Sequence, residues 1–168
     1  MASMNTQGAS SSFSPSSSTS GWKYDVFLSF RGEDTRYNFT DHLYAALTRK
    51  GIFTFRDDEQ IERGKSISEE LMKAIQESRF VIVILSTHYA SSIWCLAELA
   101  EIVRCKEETG LVILPVFYRV NPSDVRHQRR NFQAAFGKHE ADKIEELDSW
   151  RAALTEVANL SGWHLEER

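Results

Sequence analysis

The hydrophobic pattern of the chain switches repeatedly between two periods. Short apolar runs alternate with longer stretches in which apolar residues recur at helical spacing. The strongest run is Phe80-Val81-Ile82-Val83-Ile84-Leu85. A run of that length, rich in β-branched residues, predicts a strand buried on both faces, hence parallel and central. A polar turn follows, Ser86-Thr87-His88, and a helix begins near Ile93 and closes near Thr109-Gly110. The N-terminus of that helix therefore lies at the carboxyl edge of the sheet, where open α/β sheets bind ligands.

The same reading covers the rest of the chain. Trp22 to Phe30 is a strand centred on Val26-Phe27-Leu28, broken at Arg31-Gly32-Glu33-Asp34, where Gly32 permits a sharp turn. Asp34 or Thr35 can cap a helix from Thr35 to Arg49, with Phe39, Leu43, Ala46 and Leu47 inward and Lys50-Gly51 as its stop. Ile52-Phe53-Thr54-Phe55 is a shorter strand. Ile67 to Gln76 is a helix capped by Ser66 or Ser68, with Leu71, Met72 and Ile75 inward. Leu111 to Phe117 is a fourth strand. Pro115 lacks a ladder donor, which predicts an edge position or a bulge there. Asn121-Pro122-Ser123-Asp124 turns into a short helix, and Asn131 to His139 is another helical piece. Ile144 to Leu160 is the last helix, with Leu147, Trp150, Leu154 and Val157 as its stripe and Trp163 folding back onto it. Strand-helix alternation of this kind predicts a parallel sheet with helices on both faces, flavodoxin-like. The third strand ends in Ser86 rather than Asp, which argues against a phosphoacceptor receiver domain.

On the helix after His88, the residues Leu96, Leu99, Ala100 and Val103 form one face, the expected core face. Glu98 is expected opposite, with Trp94 one turn before it and Glu101 one turn after, on an exposed side. On most helices such a side is a solvated acidic face. At the carboxyl edge of a sheet, an aromatic platform beside a lone acid can also hold a flat ring and stabilise a developing cation.

Composition narrows the classes. The chain has 168 residues, 42% hydrophobic and 26% charged, which suits one domain with a sizeable core. The net charge of -4 does not suggest a general nucleic-acid surface. No run of about eighteen apolar residues predicts a membrane span. The start lacks the pattern of a secretory signal, so the sequons at Asn38 and Asn159 read as chance matches. Cys95 and Cys105 fall in one helix, roughly 15 Å apart at the helical rise, too far for a disulfide. They read as reduced thiols of a cytosolic protein, and no Cys/His cluster has zinc spacing. Residues 1–21 are a Ser-rich tail expected to be disordered.

The loop Arg56 to Ser66 contains Gly64-Lys65-Ser66, but a phosphate loop needs Gly where Glu59 stands. Its acids would also repel a triphosphate, so ATP binding is rejected. Ile61, isolated among charges, is either a partner anchor or part of a solvated loop. Arg126, Arg129 and Arg130 form a basic patch that reads as a solvated or partner-facing surface.

Three segments carry a family resemblance over roughly Trp22 to Trp163. Tyr24-Asp25-Val26-Phe27-Leu28-Ser29-Phe30-Arg31-Gly32-Glu33-Asp34-Thr35-Arg36 resembles the opening motif of plant Toll/interleukin-1 receptor (TIR) domains. Trp94-Cys95-Leu96-Ala97-Glu98-Leu99 resembles their central motif, and Leu114 to Arg126, LPVFYRVNPSDVR, a third. The resemblance implies a TIR domain over residues 22–164, with residues 165–168 beginning a linker. It implies a five-stranded parallel sheet of order 2-1-3-4-5, in the N-terminal domain of an intracellular plant immune receptor. Such receptors continue into nucleotide-binding and leucine-rich-repeat regions, so the chain is expected to be a fragment.

The activity implied is cleavage of NAD+ or NADP+ between nicotinamide and ribose, switched on by self-association, with no cofactor or metal. Glu98 falls on the family's catalytic glutamate. Nicotinamide carries away its ring's positive charge as it leaves, so little acid assistance is needed. A carboxylate near the ribose then stabilises an oxocarbenium-like transition state. Trp94 is expected beside the ribose or ring. Phe30, Arg31 and Gly32 are expected to line the same pocket, with Arg31 suited to phosphate or ribose oxygens. An ion pair of Arg31 with Glu33 or Asp34 is equally compatible with the residues. The acidic loop matches a mobile loop that in related domains packs on a neighbouring protomer and completes the site.

Two departures from the family's pattern stand out. One self-association surface often carries Ser-His, where this chain has Asp41-His42. A second typically has Gly where Arg130 stands, which should weaken self-association. The expected partners are itself and other TIR domains, with no membrane or nucleic-acid partner. The expected location is the cytoplasm, with the nucleus as an alternative. The competing reading is a pure TIR-TIR scaffold in which Glu98 is structural. Nucleic-acid hydrolysis by filamentous assemblies, known for some relatives, is neither supported nor excluded by these residues.

Overall fold

The computed structural model describes residues 21–57 and 68–166. Residues 1–20 of the expected N-terminal tail, Ile61 and the Gly64-Lys65-Ser66 segment lie outside these residues. So does Ser66 as a cap.

The sheet is built from β1 (Tyr24–Ser29), β2 (Thr54–Arg56), β3 (Ser78–Leu85), β4 (Val112–Tyr118) and β5 (Trp163–Leu165). All neighbours pair in parallel in the order β2-β1-β3-β4-β5, which is the 2-1-3-4-5 order of a flavodoxin-like fold. The helices are α1 (Gly32–Thr35), α2 (Phe39–Arg49), α3 (Glu69–Gln76), α4 (Ile93–Thr109), α5 (Pro122–Arg126), α6 (Asn131–Ala141) and α7 (Leu147–Ala158).

Period-two alternation divides the strands between two apolar layers. Phe27, Val81, Val83 and Leu85 face a large layer built with α3, α4, α6 and α7. Val26, Leu28, Phe80, Ile82 and Ile84 face a smaller one built with Phe39, Leu43 and Leu47 of α2. The central strand β3 is thus covered on both faces, as its unbroken apolar run predicted. Caps sit at its flanks. The Ser68 hydroxyl accepts from Leu71 N at 3.2 Å, the Ser92 hydroxyl accepts from Cys95 N at 3.1 Å, and Gly110 closes α4 with φ 79°.

Three local expectations change. The helix expected from Thr35 is split, because Asn38 takes φ -131°, ψ -96° and caps α2 through its side chain. Neither Asp34 nor Thr35 caps it. The Asp34 carboxylate accepts instead from the Ser86 hydroxyl and from His88 N, 3.1 Å away, and the Thr35 and Thr40 hydroxyls pair at 2.7 Å. Strand β4 is an inner strand, paired with β3 from Val112 to Phe117 and with β5 from Val116 onward. Pro115 lies one residue before that second pairing begins, so its missing donor faces no ladder there. Trp163 does not fold back on the last helix. It opens β5 and is 57% exposed. Gly162 makes this possible, since a Cβ there would lie 2.2 Å from the Pro115 carbonyl oxygen. The chain crosses Pro115 closely and falls into register on Val116.

Candidate active site

The carboxyl ends of β1, β2 and β3 meet the start of α4. Here lies a cavity of about 440 Å³ lined by Arg31, Gly32, Glu33, Arg36, Tyr37, Ser91, Ser92 and Trp94. That volume falls among small-molecule sites, roughly 300–1,000 Å³. Two guanidinium groups and the N-terminus of the 17-residue α4 converge on it, an arrangement suited to phosphate groups.

Arg31 is engaged. Its Nη2 donates to Glu33 and its Nη1 to Asp34, each at 2.9 Å. Both sequence-level alternatives for Arg31 therefore coexist: it lines the cavity and is ion-paired. Arg36, which sequence reasoning did not single out, donates to the Asp57 carbonyl at 3.2 Å and lies 5.2 Å from the Phe30 ring centre. Gly32 and Trp94 line the cavity as expected. Phe30 does not line it: the side chain is wholly buried in the α2-side core. Its carbonyl accepts from Cys95 Sγ at 3.5 Å.

The expected exposed side of α4 is not exposed. Trp94, Glu98 and Glu101 are all buried, Glu98 at 1% exposure, whereas Ala100 and Val103 of the expected core face are only half-buried. The reason is that α4 is packed against the sheet, α3 and α7 together, so most of its circumference is covered. Arg104, Glu107 and Glu108 hold the solvent side.

Glu98 sits behind Trp94, one turn deeper than the cavity wall. Its Oε1 accepts from the Ser29 hydroxyl at 2.9 Å, and Ser29 Oγ lies 2.7 Å from Tyr89 Oη. Among the described residues, Glu98 Oε2 and Trp94 Nε1 are buried polar atoms without a well-formed hydrogen bond. Burial pushes the Glu98 carboxyl up to about 8; the Ser29 hydrogen bond opposes this, the Asp57 charge adds to it, and the nearby Trp94 indole opposes it. Burial, with the nearby Glu98 charge, also drives the Cys95 thiol far up, so it stays protonated and is no nucleophile. Ser29 and Tyr89 were missed at the sequence level. Their signal was present in Ser29, a lone hydroxyl inside the apolar run Val26-Phe27-Leu28-Ser29-Phe30.

The expected self-association residues lie elsewhere. Asp41 and His42 are exposed on α2, with Asp41 ion-paired to Arg56 at 3.1 Å. Arg130, at the start of α6, is largely exposed and paired with Asp124 at 3.2 Å. Its backbone takes φ 53°, ψ -123°, a region that favours glycine, which explains physically why Gly would be usual there. Among the described residues, no group of acidic, His or Cys side chains could hold a metal ion, and no helix is long and apolar enough to cross a membrane.

Residues 23–168 match the TIR domain family. The chain belongs to that family. It is similar to the disease resistance protein RPV1 of Vitis rotundifolia, 54% identical over 165 residues and 98% of this chain. It is likewise 54% identical over 150 residues to the TMV resistance protein N of Nicotiana glutinosa, covering 88% of this chain. The TIR domain spans only 12% and 13% of those two relatives. Among solved structures, the TIR domains of the activated Roq1 resistosome, which directly recognises the effector XopQ, match at 54% identity and TM-score 0.79. That match covers 84% of this chain and 87% of theirs. A heterodimer of the RPS4 and RRS1 TIR domains shares the fold at 21% identity, with TM-score 0.50 over 86% of this chain and 83% of that one.

Proposed function

We propose that this TIR domain is a self-association-dependent NAD(P)+ glycohydrolase in plant immune signalling. One observation carries the reading: an unsaturated buried carboxyl, Glu98, stands directly behind a cavity furnished with two arginines and a helix N-terminus. In the reaction, the bond between nicotinamide and the ribose C1′ breaks and its electron pair stays on the ring nitrogen. Nicotinamide leaves neutral, and the Glu98 carboxylate faces the cationic ribose until water adds and loses a proton. Arg31 and Arg36 are suited to the pyrophosphate, and Trp94 to the nicotinamide ribose. NAD+ or NADP+ is the substrate, and no cofactor is needed.

Glu98 is sealed, and burial pushes its carboxyl up to about 8, which favours the protonated form at neutral pH and fits an enzyme that is silent until assembled. The family's assembling loop lies outside the described residues. The assemblies of Roq1 and of RPS4 with RRS1 support self-association as the switch here, with other copies of this domain or other TIR domains as partners. We place the protein in the cytoplasm, with the nucleus as the alternative; two unpaired thiols suit either reducing compartment.

The same burial favours a second reading, a scaffold in which Glu98 only closes the core. The test is NAD+ consumption by purified protein, dilute and then tethered on a surface, with Glu98→Ala beside it. Cleavage on tethering that the variant abolishes supports the enzyme. Folded protein that cleaves in neither condition leaves the scaffold. Arg130→Gly relieves the strained backbone and should raise thermal stability by about 1 kcal/mol, read from melting curves. It should also strengthen self-association, read by sedimentation.

A further inference from the structure

Resting on that reading, we propose that Ser29 and Tyr89 are positioning residues: the Tyr89 hydroxyl aims the Ser29 proton at Glu98, and so favours the charged carboxyl and orients it once it ionises. The two hydroxyls and the carboxyl form one buried chain, Tyr89 Oη to Ser29 Oγ at 2.7 Å and Ser29 Oγ to Glu98 Oε1 at 2.9 Å. Each comes from a different element, the turn Tyr89–Ser91, the end of β1, and α4. Ser29 and Tyr89 are both wholly buried, so no water competes for these bonds.

Each hydroxyl has a single proton, and that fixes the direction. When Glu98 is charged, the Ser29 proton lies on Oε1. Ser29 Oγ is then an acceptor only, and Tyr89 fills it. Tyr89 has one other acceptor in reach, the Cys95 carbonyl at 3.3 Å, which is the longer contact. That carbonyl ends the chain inside the protein. The chain therefore carries no proton to solvent; it only orients one, and Glu98 must exchange its proton through the unpaired Oε2. Hydrogen bonds in such a chain polarise one another, so Tyr89 strengthens the Ser29 bond without touching Glu98 or the substrate.

The Trp94 indole adds a weaker pull on the carboxyl without a well-formed hydrogen bond, and the other groups around Glu98 do not stabilise its charge. Asp57, at the end of β2, repels the charge. Cys95, on the same helix, is protonated, and the Arg31 charge beside it is already shared by Glu33 and Asp34. Ser29 makes the one well-formed hydrogen bond to the carboxyl among the described residues.

The test is the Glu98 titration midpoint, read by carbon-13 NMR of glutamate carboxyls and assigned with Glu98→Gln. Ser29→Ala should raise the midpoint by about one to two pH units, the loss of one hydrogen bond to a charged group. Tyr89→Phe keeps the ring packing and should raise it by less. The double variant should match Ser29→Ala alone, because Tyr89 acts only through Ser29. In the tethered NAD+ assay, the acid limb of the pH-rate profile should move with each midpoint. Additive shifts, or no shift in Tyr89→Phe, would overturn the positioning role. A midpoint that moves as expected in protein that cleaves no NAD+ keeps the positioning role and removes the glycohydrolase.

Discussion

Glu98 and Glu101 lie one turn apart on α4, both buried, and the fold treats them in opposite ways. Glu101 accepts from Gln76 Nε2 at 2.9 Å and from Arg104 Nε at 3.0 Å, with further contacts from Arg104 Nη2 and Cys105 Sγ. Burial pushes its carboxyl up, but these bonds and the Arg104 charge outweigh burial and hold it below its ordinary range. Glu98 has one hydroxyl, an unpaired oxygen and an acidic neighbour, and burial prevails. The lesson is that burial alone does not mark a functional acid. A carboxyl whose lone pairs are filled by a cation and an amide is part of the packing between α3 and α4. A carboxyl left short of partners beside a cavity is costly in its charged form, and that marks it as a candidate functional acid.

Three substitutions sharpen the contrast. The largest effect is expected from Glu98→Gln. It should reduce NAD+ cleavage by roughly 10²–10³-fold in the tethered assay, as for loss of an electrostatic group at a transition state. The same change should stabilise the domain at alkaline pH by on the order of 2 kcal/mol, read from urea midpoints, because the amide has no charge to bury. The sign follows from the raised folded-state value. Between 4.5 and about 8 the folded carboxyl keeps a proton that the unfolded chain releases. Stability should therefore fall as pH rises through that window, and Glu98→Gln should flatten the slope.

Glu101→Gln should act the other way. Its lowered value means that it contributes stability at neutral pH that is lost as pH falls through the acid range. The variant should lose about 1–2 kcal/mol at neutral pH, moderated because Arg104 keeps Glu108 at 2.7 Å, and NAD+ cleavage should stay intact. An equal loss of cleavage in both variants would erase the distinction between the two acids. Gln76→Leu removes one of several donors to Glu101, and should cost less than about 1 kcal/mol in thermal melts.

The site was legible unevenly. Gly32 and Trp94 reach the cavity as the motifs suggested, because motif position fixes which strand end or helix start a residue occupies. Phe30 belongs to the same motif yet faces the core, because strand alternation, not motif membership, decides direction. Arg36, the last residue of the opening motif, and Ser91 and Ser92, just before α4, also line the cavity, though no role was read for them from the sequence.

What the sequence by itself determined was the kind and order of elements: a two-sided apolar run for β3, the helical stripes, the ends of α4 near Ile93 and Gly110, and the TIR motifs that place Glu98. Those signals are local, set by side-chain period and backbone preference within a few residues. The tertiary structure alone decided that Glu98 is buried and that the fifth strand falls at Trp163–Leu165. A helical wheel sees one helix and assigns its polar side to water. Here α3, α7 and the sheet close around α4, and Ser29, far away in the chain, supplies the hydroxyl that makes a buried carboxyl tolerable. Three residues at Trp163–Leu165 are too short to locate a strand from their own pattern, and the close passage of Gly162 over Pro115 lets them pair there.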